Sequence, residues 1–308
     1  MIVAISGQAL GADGTNYTSG GATPPPVRHH RRVALPFVAS DAALLAVQAS
    51  LVAAPGAGLP AGLRVPRGRW WALIPPASVA AVVFGLQLAP DGAHALTYLA
   101  LGTTPPLAAI ALGWAGRFAR PGAAALALPL LALAWAARGS LTGDAAALVL
   151  SALGCVTLGR LLAAVAPLRW LKLGIFAMAA IDTALVIADQ LQRPNAVLNA
   201  AAPGAGLPRL QVAQFGGAVM GYGDLFIAAL LGGVLAAQRR ERWWPVLCCL
   251  ALAAAFDLLF FISDELPATV PVALTLIVIE LVARRRAQAA GGRATARRAP
   301  LPRLARPS

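Results

Sequence analysis

Charge is what this chain has least of. Only 12% of its 308 residues are charged and 59% are hydrophobic, with a mean hydropathy of +0.72. A soluble domain carries about 25% charged residues. Half that polar coat cannot cover a water-facing surface, so a water-soluble globule is excluded and the implied solvent is a bilayer. Histidine and cysteine are also scarce, three of each. No Cys/His spacing of the zinc type occurs, so neither a metal nor a cofactor is expected. Cys155, Cys248 and Cys249 lie inside apolar runs, where free cysteine acts as a small hydrophobe. Lys172 is the sole lysine among 25 basic residues.

What is present is long apolar stretches of spanning length. About 20 residues at 1.5 Å each cross a hydrocarbon core of about 30 Å. Such stretches occur near 33–54, 70–90, 93–114, 122–137, 143–166, 170–190, 211–237, 243–263 and 266–283. Their uniform hydrophobicity lacks the alternation of membrane strands. The expected fold is therefore an all-α integral membrane protein with about nine transmembrane helices. Residues 1–32, with Pro24-Pro25-Pro26, cannot bury enough apolar surface to fold and read as a disordered leader. Residues 33–168 form a first helical part and 169–283 a second. Residues 284–308 read as a basic disordered tail.

The net charge of +13 does not point to nucleic acid, because no aromatic-interleaved basic module accompanies it. Arginines crowd one set of alternate loops, including Arg64, Arg67, Arg69, Arg117, Arg120, Arg169, Arg239, Arg240 and Arg242. The opposite loops hold Arg138, Arg193 and Arg209. The rich set shares its side with the basic tail, which predicts a cytoplasmic C-terminus and an outside N-terminus in the plasma membrane.

Acids inside hydrocarbon are costly, and each is a functional candidate. Asp41 can pair with a loop arginine, Asp257 can be solvated near the outer end of its span, and Glu280 has Arg284 at i+4. Asp182 and Asp224 have no basic neighbour in sequence and stand on consecutive, antiparallel spans. From the outer face, Asp182 is expected about 12 Å deep and Asp224 about 20 Å. Gly221 and Gly223 remove side chains ahead of Asp224, so another backbone can approach. Two carboxylates at close range share one proton. One then acts as general base toward water and the other polarises a peptide carbonyl. The same residues suit a proton relay in a transporter equally well.

The joint pattern resembles the presenilin and signal peptide peptidase family of intramembrane aspartyl proteases. That family carries an aspartate in helix six, Gly-x-Gly-Asp in helix seven and Pro-Ala-Leu opening helix nine. Here Asp182 falls in span six, Gly221-Tyr222-Gly223-Asp224 in span seven, and Leu266-Pro267-Ala268-Thr269 opens span nine. The resemblance covers residues 170–283 and implies a presenilin-like arrangement. It also implies catalysis by Asp182 and Asp224, with support from Gly221, Tyr222, Gly223, Pro267, Ala268 and Thr269. Substrates would be single-pass membrane helices or remnant signal peptides. Ile181 replaces the family's usual Tyr. Thr269 replaces Leu, a change expected to touch substrate-side packing more than hydrolysis. Prepilin peptidases also use Gly-x-Gly-Asp, but a Lys usually follows two residues later, where this chain has Phe226.

Overall fold

A computed structural model describes residues 37–60, 66–88, 92–190, 194, 196–197, 201, 204–261 and 266–297. The expected leader, the Gln192-Arg193 turn and tail residues 298–308 lie outside the described residues. The described chain is mostly helical, and its helices follow the expected apolar stretches in order. They are α1 (Phe37–Leu51), α2 (Ile74–Leu88) and α3 (Gly92–Ile110), then α4 (Ala127–Ala136), α5 (Leu141–Val165) and α6 (Leu168–Ile187). The last three are α7 (Tyr222–Ala237), α8 (Trp243–Asp257) and α9 (Val270–Arg297).

Among the described residues four helical runs are long and apolar enough to cross a membrane: Arg69–Leu86, Gly92–Ala115, Leu141–Val165 and Leu168–Ile187. The helices at α1, α4, α7 and α8 are apolar but shorter. The last helix continues past the expected boundary at 283, so residues 284–297 are helical rather than a disordered tail. Glu280 is held by Lys172 at 2.7 Å and Arg240 at 3.0 Å, from two other elements, and does not depend on Arg284 one turn along.

The largest departure from expectation precedes α7. Residues 211–221 are not the start of a helix. Strands β1 (Val212–Phe215) and β2 (Ala218–Gly221) form an antiparallel hairpin. Part of the cause is local: Gly216-Gly217 supplies the tight turn, with Gly216 at φ +55°. Extended backbone in apolar surroundings must be satisfied by protein, and here it is. Gly216 N–H donates to Asp144 Oδ2 and Gly217 N–H to Ser40 Oγ, both at 3.2 Å. The Ser151 hydroxyl donates to the Leu210 carbonyl at 3.3 Å. The hairpin thus sits between α1 and α5, whose polar side chains serve its ends.

Helix α7 is the axis of the molecule. Every residue from Asp224 to Ala236 is buried, as expected of a helix that is apolar all round. Its closest neighbour is α5, and the two backbones meet at paired glycines. A Cβ on Gly159 would lie 2.5 Å from the Ala229 carbonyl oxygen, and one on Gly233 2.5 Å from the Gly159 oxygen. Both obstacles are backbone and cannot swing aside. We expect Gly159→Ala to destabilise the protein by roughly 1–3 kcal/mol, read as a lower thermal unfolding midpoint in detergent. Gly85→Ala is the control, because its Cβ meets nothing within 4 Å. An equal midpoint for the two variants would show that α5 and α7 are not in backbone contact.

Candidate active site

Asp182 and Asp224 are both buried in the protein interior, 1% and 0% exposed. Asp182 stands five positions before Ile187, the end of α6. Asp224 is the third residue of α7, not deep within a helix, because the hairpin takes up the preceding length. In that first turn its Oδ2 accepts from the Gly221 N–H at 3.2 Å. This bond satisfies one of the amides that a helix start leaves over, and it favours an acidic group there. The end of α6 and the start of α7 therefore meet at one level. The carboxylates are near enough for the charge of Asp182 to act on Asp224.

The third element is the segment before α9. Residues 266–269 are not helical, and α9 begins at Val270, so Pro271 falls in its first turn, where a missing N–H costs nothing. Within that segment the buried Thr269 donates its hydroxyl to Asp182 Oδ2 at 2.7 Å. Thr269 was expected to affect packing toward a substrate; it instead touches the acid itself. Leucine at this position has no donor to offer. Thr183, adjacent to Asp182, sends its hydroxyl back to the Ala179 carbonyl at 2.7 Å.

A fourth element went unread in the sequence. Gln48 on α1 is fully buried and donates its Nε2 to the Ala268 carbonyl at 2.9 Å and to the Asp224 carbonyl at 3.4 Å. It ties the start of α7 to the segment that carries Thr269. The signal was available: Ser40, Asp41 and Gln48 are polar residues in an apolar span, with Asp41 and Gln48 seven apart and so on one face. Asp41 itself does not take a loop arginine. Its neighbour among the described residues is Asp257 at the end of α8, which is itself partly exposed. A small cavity lies beside this group, lined by Gln48, Asp257, Leu266, Ala268 and Pro271 among others.

The supporting residues divide. Pro267, Ala268 and Thr269 share the segment facing Asp182 and Gln48. Tyr222 is directed toward α3 and α5: a Cβ at Gly154 would lie 3.0 Å from its hydroxyl, beside Thr104, and Cys155 Sγ donates to the Tyr222 carbonyl at 3.9 Å. Gly221 contributes the amide that Asp224 accepts. Gly223 differs from expectation, since a Cβ there meets nothing within 4 Å. It leaves open space beside Asp224 instead of admitting a neighbouring helix. Among the described residues no group of three or more His, Cys, Asp or Glu side chains is placed to hold a metal ion.

No match was found. Comparisons with protein-family models, with curated proteins and with solved structures each returned none. The reading of the site therefore rests on its own chemistry. The site sets two buried carboxylates near one another, one accepting from a hydroxyl and one from a helix-start amide.

Proposed function

We propose that this chain is an intramembrane aspartyl protease of the presenilin and signal peptide peptidase type. The observation that supports it best is the meeting of Asp182, Asp224 and the 267–269 segment, three elements far apart in sequence. One aspartate takes a proton from water as that water attacks the peptide carbon. The other, protonated, donates to the carbonyl oxygen; as the C–N bond breaks, the first passes the water's proton to the departing amine and the second regains its proton from the gem-diol hydroxyl. The open space at Gly223 and the non-helical 266–269 backbone would receive an unwound stretch of substrate, whose free amides pair best with extended backbone. Substrates of this reading are single-pass helices or remnant signal peptides.

Nine membrane crossings, an outside N-terminus and a cytoplasmic C-terminus in the plasma membrane belong to the same proposal. Loops rich in arginine then face the cytoplasm.

The test is reconstitution. The purified full chain in liposomes, given a single-span reporter, should release two fragments cut within the span. A peptide isostere with a hydroxyl at the scissile position should block the cut, because it mimics the tetrahedral intermediate. Absence of cleavage across reporters of both orientations would overturn the proposal.

The Asp41–Asp257 pair favours one rival reading, in which carboxyl groups on both sides of Gln48 relay protons through a transporter. Proton flux in the same liposomes, abolished by Asp257→Asn while reporter cleavage is absent, would identify that activity instead.

A further inference from the structure

Away from the aspartates, on the arginine-rich side, four chain segments converge around three arginines. The segment after α1 and the segment after α3 pair as a short antiparallel bridge at Pro55 and Gly116. Within it Gly56 N–H donates to the Ala115 carbonyl at 2.6 Å and Arg117 N–H to the Ala54 carbonyl at 2.8 Å. Arg117 is thereby fixed on a rigid backbone. Arg160, in the last turns of α5, donates through Nη2 to the Ala57 carbonyl at 2.7 Å. Arg242, which precedes α8, donates through Nη1 to the Pro55 carbonyl. The three side chains thus surround one bridge.

This arrangement has a cost. Like charges repel, and partial burial strengthens the repulsion. Burial, and beyond it the positive charges of Arg117 and Arg160, push Arg242 below its usual value; no acidic group among the described residues acts against them. Glu241, the nearest acid in sequence, is exposed. The Arg160 Nε is buried and has no hydrogen-bond partner, an N–H whose desolvation is uncompensated. A doubly or singly charged oxyanion removes both costs at once, and the planar guanidinium fork matches phosphate geometry.

The surroundings indicate where the anion comes from. The Arg117 guanidinium lies 5.5 Å from the Trp243 ring centroid and 5.6 Å from that of Phe118. Both rings are exposed, 62% and 84%. Exposed aromatics interleaved with arginine at the ends of apolar helices mark the headgroup level of a bilayer. We propose that Arg117, Arg160 and Arg242 form a phosphate-binding site that holds the headgroup of an anionic phospholipid and clamps the ends of α1, α3, α5 and α8 together. The site is independent of the protease reading and stands or falls separately.

The full chain is stripped of lipid in neutral detergent, and its unfolding midpoint is followed with phosphatidylglycerol, phosphatidylcholine or inorganic phosphate added. Phosphatidylglycerol should raise the midpoint by about 5 °C over phosphatidylcholine, the scale of a ligand well above its dissociation constant. R117Q/R242Q should lose that rise. R285Q/R286Q removes the same charge from the exposed end of α9 and should keep it. Native mass spectrometry should find one tightly held anionic lipid on the parent and none on R117Q/R242Q. Should the double variant fold poorly, R117Q alone, changed at an exposed side chain, serves the same comparison. An equal rise with inorganic phosphate alone would assign the site to free phosphate. No rise with either anion, or a loss as large in R285Q/R286Q, would overturn the proposal.

Discussion

Changing Asp182 or Asp224 singly to asparagine should lower reporter cleavage at least about 10³-fold, within the range a positioned acid or base contributes, while leaving the fold intact. Asparagine keeps the size of the side chain and one carbonyl oxygen. It can still accept from the Thr269 hydroxyl at position 182 and from the Gly221 amide at position 224. What it cannot do is hold and return a proton. Burying two carboxylates is itself unfavourable, so the neutral variants should unfold at the same temperature as the parent or slightly above it. Loss of activity without loss of stability separates a catalytic pair from a structural one. The double variant should be no slower than either single one, because the two acids act as a unit. The measurement is the initial cleavage rate in liposomes beside the thermal midpoint in detergent. Either single variant cleaving within tenfold of the parent would remove the pair from the mechanism.

The second large effect is expected at Thr269. Thr269→Val keeps the branched shape and removes only the hydroxyl that reaches Asp182 Oδ2 at 2.7 Å. A hydrogen bond to a charged group contributes roughly 1.5–3 kcal/mol, which corresponds to a fall in rate of about 10- to 100-fold. The fall should appear in kcat with KM little changed, since the hydroxyl meets the acid and not the substrate. Thr269→Ser should recover most of the rate, and Thr269→Leu should behave as Val does. If Thr269→Val and the parent have equal kcat, the hydroxyl does not orient the carboxylate, and Thr269 serves packing alone.

Much of the architecture was legible in the residues themselves. Scarce charge and repeated apolar runs dictate a helical membrane protein, because hydrocarbon leaves backbone groups no other partner than their own helix. The unusual placement of Asp182 and Asp224 was equally legible, since each is an acid in an apolar run with no basic neighbour in sequence. The start of α7 was not. The run 211–237 is apolar throughout, and hydrophobicity does not distinguish a buried strand from a buried helix. Gly216-Gly217 and the capping groups Ser40 and Asp144, distant in sequence, decide for the hairpin.

The composition and order of residues thus determined the apolar solvent the chain implies, the approximate run of its helices and which acids lack a basic neighbour in sequence. Tertiary structure alone decided what those acids touch. Thr269 reaches Asp182 across 87 positions and Gln48 reaches Ala268 across 220, and no local pattern encodes contacts of that separation. The same holds for the two partners of Glu280, and for Asp41, whose described neighbour is Asp257. Charge pairing follows distance in space, and in a bundle of this kind the nearest partner usually belongs to another helix.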